Sequence, residues 1–351
     1  GLGRGGHSSK VLETPAKFEI GDAGHADGRL MRRRLRRLTS VASLAFAHAF
    51  QLPPDCATIG SALKAATSAF TSVNVPEASL SAEHLLAKAA GFGSDRTALS
   101  LARRDTLTPD ARDTFESMCA QRLERVPVQY ILGEWDFLDL TLSLRPPVLI
   151  PRPETEELVE RVLRTHGSGA SRFLDVGCGS GAIGLALLHK LPEARCVGID
   201  ISADAIALAS ENAQRCGVAS RYTPSLVDGG IAQYNTAKEE KFDVIVSNPP
   251  YIPRGDMASL EEEVAGHEDD GALCGGVDGL DVIRDLMRAA PRLLDPEGPR
   301  AIWMEVDTSH PPLIEEWLKE DEQATLQLEQ VSQMEDLYGR PRFVEVRWRG
   351  A

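Results

Sequence analysis

The sequence predicts an α/β protein, a mainly parallel sheet covered by helices on both faces, behind a small N-terminal helical domain. Three observations predict it. From residue 171 onward, strand-like apolar runs alternate with helical stretches. Residues 56–125 carry apolar side chains at three- and four-residue spacings. Between these regions, residues 127–153 break into short β-like runs punctuated by Gly133 and Pro146-Pro147.

The first 54 residues stand apart. They hold nine Lys and Arg against four acids. From Met31 to Pro54 there are five arginines and no acid, with Ser and Ala between them. That is the make-up of a mitochondrial transit peptide, with Met31 well placed as initiator. A secretory signal and a non-targeting basic helix are the competing readings. On each of them residues 1–54 form a disordered, transit-like segment outside the fold, and the leading reading addresses the protein to the mitochondrial matrix.

Residues 55–126 form the helical domain, with helices predicted at Ile59–Phe70, Pro76–Ala90 and Pro109–Val126. Ser81, ahead of His84-Leu85-Leu86, and Thr108-Pro109 read as helix starts, and Gly91-Phe92-Gly93 ends the second helix. Its stripes read as core, without a catalytic signature. Residues 127–156 read as a β-hairpin linker, with β-like runs at Val128–Leu132, Phe137–Leu144 and Val148–Ile150. In 157–351, strands are predicted at Phe173–Val176, Cys196–Ile199, Phe242–Ser247, Ile302–Val306 and Phe343–Val346. Helices fall at 182–191, 203–216 and 279–294. The last strand follows the loop Tyr338–Pro341 rather than a long helix, so it is free to pair antiparallel with its predecessor.

Composition narrows the function. Of 38 basic and 52 acidic side chains, 29 and 48 belong to residues 55–351, a net charge of −19. So acidic a body repels bare phosphate backbones, and direct nucleic-acid binding is not expected. The longest apolar run, Val41–Phe50, is half of the roughly 20 residues a membrane span needs. Six cysteines (Cys56, Cys119, Cys178, Cys196, Cys216, Cys274) are scattered without a C-x-x-C pair. They read as small apolar residues of a reducing compartment, not as a zinc or disulfide framework, and no metal is expected. The default oligomeric state is a monomer.

Phe173-Leu-Asp-Val-Gly-Cys-Gly-Ser-Gly-Ala-Ile-Gly184 reads as a strand, a glycine-rich turn and the start of a helix. Glycine lets backbone approach a ligand closely and adopt positive φ. One strand later, Gly198-Ile199-Asp200 ends in an acid placed to accept hydrogen bonds from both ribose hydroxyls. Gly179, Gly181 and Gly184 satisfy a dinucleotide fingerprint. Asp175 followed by Gly177, Gly179 and Gly181 resembles instead the methyltransferase version, in which an acid near the loop faces a cationic amino acid. The loop alone leaves methyltransferase, dehydrogenase and structural turn open.

Phe242-Asp-Val-Ile-Val-Ser247 reads as a buried strand that ends in Asn248-Pro249-Pro250-Tyr251. Each proline fixes φ and lacks a donor, and the residue before it is pushed out of the helical region. The product is a rigid elbow at the carboxyl end of a strand, where open α/β sheets bind ligands. Such an elbow suits methylation of a planar NH2 group. The Asn248 side-chain oxygen and the Pro249 carbonyl can accept its two hydrogens, which favours a pyramidal, nucleophilic nitrogen as the transition state forms. Tyr251 can pack its ring on the flat group. Adenine N6, cytosine N4 and the glutamine side chain all qualify, and a bare Pro-Pro turn is the structural alternative.

These residues together resemble the HemK/PrmC family, protein glutamine N5-methyltransferases that modify class 1 peptide-chain release factors. Pro127-Val-Gln-Tyr-Ile-Leu-Gly133, Asp136-Phe137 and above all Ile150-Pro-Arg-Pro-Glu-Thr-Glu156 are similar to the family's interdomain segment. The resemblance runs from about Pro127 to Trp348, more loosely over the helical domain. It implies a Rossmann-like class I S-adenosylmethionine-dependent methyltransferase domain, with substrate recognition assigned to residues 55–126. It implies S-adenosyl-L-methionine as cofactor, bound at Asp175, Gly177, Cys178, Gly179, Ser180, Gly181, Asp200, Asp228 and Asn248. Asn248, Pro249, Pro250 and Tyr251 hold the substrate amide, the glutamine of a Gly-Gly-Gln loop. With the transit-like segment, the mitochondrial branch is the nearest match, and a mitochondrial class 1 release factor the implied partner. Two departures stand out. The stretch His267–Leu273 lacks a proline usual beside its acid, and residues 217–240, around Asp228, are irregular. An adenine amino-methyltransferase of DNA or RNA shares the elbow and is the second hypothesis; a non-catalytic module that keeps only the fold is the third.

Overall fold

The computed structural model describes residues 50–235, 241–321 and 328–348. Nearly all of the transit-like segment, residues 1–49, lies outside the described residues. No described helix is long and apolar enough to cross a membrane.

The helical domain comprises α1 (Ile59–Ser72), α2 (Ala78–Ala89), α3 (Arg96–Leu101), α4 (Pro109–Leu123) and α5 (Val128–Leu132). Thr58 and Ser61 close a reciprocal capping box on α1, and the Thr108 hydroxyl accepts from Ala111 N at 3.3 Å ahead of Pro109 on α4. Phe70, Leu85, Leu86, Phe115 and Cys119 bury a separate core.

Two expectations here need correction. Ser81 does not start a helix; α2 begins at Ala78, and the buried Ser81 hydroxyl takes the Arg122 guanidinium at 3.3 Å. Val128–Leu132 is not β-like but α5. A five-residue apolar run fits either state, and here Pro127 before it and the left-handed Gly133 after it mark a helix.

The linker forms one hairpin, β1 (Glu134–Phe137) with β2 (Leu140–Ser143). Val148–Ile150 is not a strand, although Val148 and Ile150 are buried. A helix not foreseen, α6 (Pro153–His166), starts on Pro153 with Glu154 and Glu156 in its first turn, and runs across residues 156 and 157.

The main sheet contains β3 (Arg172–Val176), β4 (Arg195–Asp200), β5 (Tyr222–Leu226), β6 (Val244–Ser247), β7 (Ala301–Glu305), β8 (Leu328–Glu335) and β9 (Pro341–Trp348). Their spatial order is β5-β4-β3-β6-β7-β9-β8. The first five are parallel, and β9 runs antiparallel to both β7 and β8. This is the Rossmann-like methyltransferase fold behind a helical domain. Helices α7 (Ala182–Lys190), α8 (Ala203–Arg215), α9 (Glu262–His267), α10 (Asp270–Leu273), α11 (Asp281–Leu293) and α12 (His310–Glu320) complete the described chain. Residues alternate along the central strands between two cores. Phe173, Val244 and Trp303 face one cluster, and Leu174, Ile245 and Ile302 the other. Phe242 lies outside regular β6, in an isolated bridge to Leu294, and the Asp243 side chain accepts from the backbone N–H groups of Ser171 (2.6 Å) and Arg172 (2.9 Å). The chain order reverses between β3 and β6, and that switch point carries the glycine turn and the elbow side by side.

Candidate active site

The glycine turn leaves the carboxyl end of β3 and feeds α7. Gly177, Gly179 and Gly181 have φ of 69°, 54° and 85°, the left-handed region where a side chain is strained. Four of the turn's N–H groups are committed inward. Gly177 and Cys178 both donate to Ile199 O (2.8 and 3.0 Å), Gly179 to Asp200 Oδ2 (2.9 Å) and Gly181 to Cys178 O (2.7 Å). A pyrophosphate site needs those donors turned outward. Those donors are therefore withdrawn from a pyrophosphate. Cys178 and Ser180 are buried, and the Ser180 carbonyl accepts from Asn212 Nδ2 at 2.9 Å, which ties the turn to α8.

Asp175 lies near the end of β3, under the turn. Its carboxylate is wholly buried beneath the turn, where Oδ2 accepts from Gly184 N at 3.0 Å and Oδ1 has no partner. Burial pushes it up to about 7. There it supports the turn from below. Asp200, at the end of β4, holds Gly179 N and Ser202 N, each at 2.9 Å, one on each oxygen. Both oxygens keep a further lone pair for a ribose diol. Ile201 and Leu226 beside it are 59% and 54% exposed, two apolar surfaces that a flat base would cover. Asp228 lies exposed in the turn after β5, and Val227 N joins that turn to Asp200 O at 2.9 Å. These residues fit a nucleoside. Asp200→Ala is expected to weaken S-adenosylmethionine binding by about 10–100-fold, as lost hydrogen bonds to an ionised group do, with a smaller effect on saturated turnover. Calorimetry and saturation kinetics on one preparation check this.

The elbow follows β6 directly. Val176 pairs with Ser247, and the Ser247 hydroxyl donates to Val176 O at 2.7 Å. A Cβ built on Gly177 would lie 3.9 Å from the Asn248 carbonyl oxygen, so turn and elbow touch through backbone. Asn248 Nδ2 donates to Thr155 Oγ1 at 3.1 Å, and Thr155 donates to Glu305 Oε2 at 2.7 Å. The Tyr251 hydroxyl donates to Glu305 Oε1 at 3.3 Å and accepts from Arg342 Nη1 at 3.4 Å. Burial pushes Glu305 up to about 7. Pro249 is buried, and Pro250 is braced from behind by the loop Gly275–Gly279. Arg152 pairs with the buried Glu268 at 2.7 Å, and Asp269 N donates to Pro147 O at 2.9 Å, so the stretch lacking its proline is tied to the linker.

Sequence reasoning missed Thr155, Glu305 and the glycine brace. Thr155 lay inside the singled-out segment Ile150–Glu156 without a role. Glu305 left one usable signal, an acid closing the otherwise apolar run Ala301–Met304.

Comparison with known proteins agrees with this layout. Residues 61–133 match the PrmC N-terminal domain, and residues 154–263 the methyltransferase small domain. The human "MTRF1L release factor glutamine methyltransferase" is 40% identical over 313 residues, covering 86% of this chain and 91% of that protein. The chain belongs to the release factor glutamine methyltransferase family. Bacterial members include the release factor glutamine methyltransferases of Geobacter sulfurreducens, 42% identical over 66% of this chain and 78% of that protein, and Cereibacter sphaeroides, 37% identical over 82% and 97%. In this family member α1–α5 fall in the first matched region; α6, the glycine turn and the elbow fall in the second. The hairpin and Ile150-Pro-Arg lie between the two.

Proposed function

We propose that the protein transfers a methyl group from S-adenosylmethionine to the side-chain amide nitrogen of the glutamine in the Gly-Gly-Gln loop of a class 1 peptide-chain release factor, in the mitochondrial matrix. One observation carries the reading: Asn248 commits its Nδ2 to Thr155, donating one amide hydrogen there, so Oδ1 is left as an acceptor at the elbow. When bound, the cofactor supplies an electrophilic methyl group. The protein does the rest by holding the nitrogen. An amide lone pair is delocalised into its carbonyl and nucleophilic only when the nitrogen pyramidalises. Asn248 Oδ1 and the Pro249 carbonyl accept its two hydrogens in the geometry that favours this change, and the prolines prevent the acceptors from drifting. Tyr251, tied back through its hydroxyl, offers its ring as a wall for the flat group. A general base is unnecessary before attack, since the nitrogen can shed its proton afterwards.

Asp200, Ile201, Leu226 and Asp228 support cofactor binding on the other side of the turn. The charge of −19 on residues 55–351 complements a basic, ribosome-binding partner. The matrix address rests on the basic Ser/Ala-rich stretch from Met31 to Pro54, and import of a fusion carrying residues 1–54 into isolated mitochondria tests it. For the activity, labelled cofactor is incubated with a mitochondrial class 1 release factor and with its Gln→Ala variant in the Gly-Gly-Gln loop. Label is expected in the first alone; equal labelling of both rejects the reading.

A further inference from the structure

We propose that Thr155 and Glu305 are a positioning pair that fixes which way round the Asn248 amide faces, and so aims its oxygen at the substrate nitrogen. The inference rests on the amide-transfer reading above. An Asn side chain is nearly symmetric in shape, with an acceptor on one side and two donors on the other. Turned the wrong way, it would present N–H groups to a substrate NH2, donor against donor. Something must therefore choose.

The choice follows from proton counting. An ionised carboxylate only accepts, so Glu305 Oε2 compels Thr155 to donate to it, at 2.7 Å. A hydroxyl has one proton. With that proton committed, Thr155 Oγ1 offers Asn248 a lone pair and nothing else, and it accepts from Nδ2 at 3.1 Å. Oδ1 is thereby turned away from the relay. Thr155 and Glu305 are 3% and 1% exposed, so water does not compete for these bonds, and a mismatched polar contact there is costly. The second oxygen of Glu305 holds the Tyr251 hydroxyl, so a single carboxylate orients both side chains of the elbow.

The same counting gives a pH dependence. The charged groups facing Glu305 are Arg342 on β9, which favours the ionised form, and Glu154 on α6, which opposes it; burial outweighs both. As pH falls through about 7, Glu305 takes up a proton and becomes a donor. Thr155 is then free to donate toward Asn248, and the amide loses its imposed orientation. Turnover should therefore be full above this range and decline below it.

Thr155→Val keeps the shape and removes the hydroxyl; Thr155→Ser restores the hydroxyl. On a release-factor substrate, Thr155→Val should lower kcat by about 10–100-fold with cofactor affinity unchanged, the range seen when an orienting partner is removed, and Thr155→Ser should stay within about threefold of wild type. The side-chain amide resonances of Asn248, followed by NMR in cofactor-free protein, read the relay without turnover. They should shift with an inflection near pH 7 in wild type and stay flat in Glu305→Gln. A Thr155→Val protein with wild-type kcat, a Thr155→Ser protein as impaired as Thr155→Val, or an Asn248 inflection that survives in Glu305→Gln overturns the relay. A wild-type protein that transfers no methyl group overturns the functional reading instead, while the NMR titration still decides the relay.

Discussion

Replacing Asn248 with alanine is expected to lower turnover by about 100-fold or more, while affinity for S-adenosylmethionine changes by about twofold at most, because the lost acceptor is aimed at the reacting nitrogen. The asymmetry follows from position. Asn248 lies beside the glycine turn at its backbone carbonyl, which alanine keeps, and in the proposed reaction presents to the substrate its Oδ1, which alanine loses. Without that acceptor, the glutamine nitrogen has less to gain from leaving planarity. The variant also strands Thr155 without its donor, but Thr155 still donates to Glu305, so no buried charge is left unpaired. Single-turnover rates and calorimetric affinities on one preparation separate the two quantities. Equal losses in both would mean that Asn248 acts by shaping the cofactor site.

Gly279→Ala is expected to cause the largest loss of stability, about 3 kcal/mol or more, combining left-handed strain with a backbone collision. Gly279 has φ of 84°, and a Cβ there would stand 2.7 Å from His310 Cε1 and collide with the Tyr251 carbonyl oxygen. Neither neighbour yields cheaply. Tyr251 O belongs to the elbow, and His310 is buried at the start of α12. Gly275 meets the same elbow from the other end of the loop, with a virtual Cβ 2.5 Å from Pro250 O. Relief of the clash must therefore move Pro250 and Tyr251, and the folded fraction should turn over more slowly as well. Gly93→Ala is the control: its φ of 62° is strained too, but nothing lies within 4 Å of its Cβ, so about 1–2 kcal/mol is expected there. Chemical denaturation of both variants measures the difference, and equal losses would show that the brace carries no contact energy.

The central sheet was legible because its strands are buried on both faces and read as unbroken apolar runs, as at Phe173–Val176 and Val244–Ser247. The elbow and glycine turn were legible for a related reason: proline and glycine act on their own backbone, so their consequences are local. Where tertiary context decides, the reading failed. Tyr222–Leu226 was missed because Pro224 interrupts it, which only an edge strand tolerates, and β5 is an edge. The relay was invisible for want of proximity in the chain: Thr155 and Glu305 are 150 positions apart, and Thr155 and Asn248 are 93 apart. Asp175 adds a part the motif alone did not suggest: buried under the turn, its Oδ2 accepts from Gly184 N and braces the start of α7.

The most direct test of the account is a crystal structure of the protein with demethylated cofactor and a Gly-Gly-Gln-containing release-factor domain. The account predicts Asn248 Oδ1 at hydrogen-bond distance, about 2.7–3.2 Å, from the glutamine side-chain nitrogen, with Nδ2 still on Thr155. A complex in which the glutamine nitrogen sits at the cofactor sulfur while the Asn248 side chain points out of the cleft would contradict it.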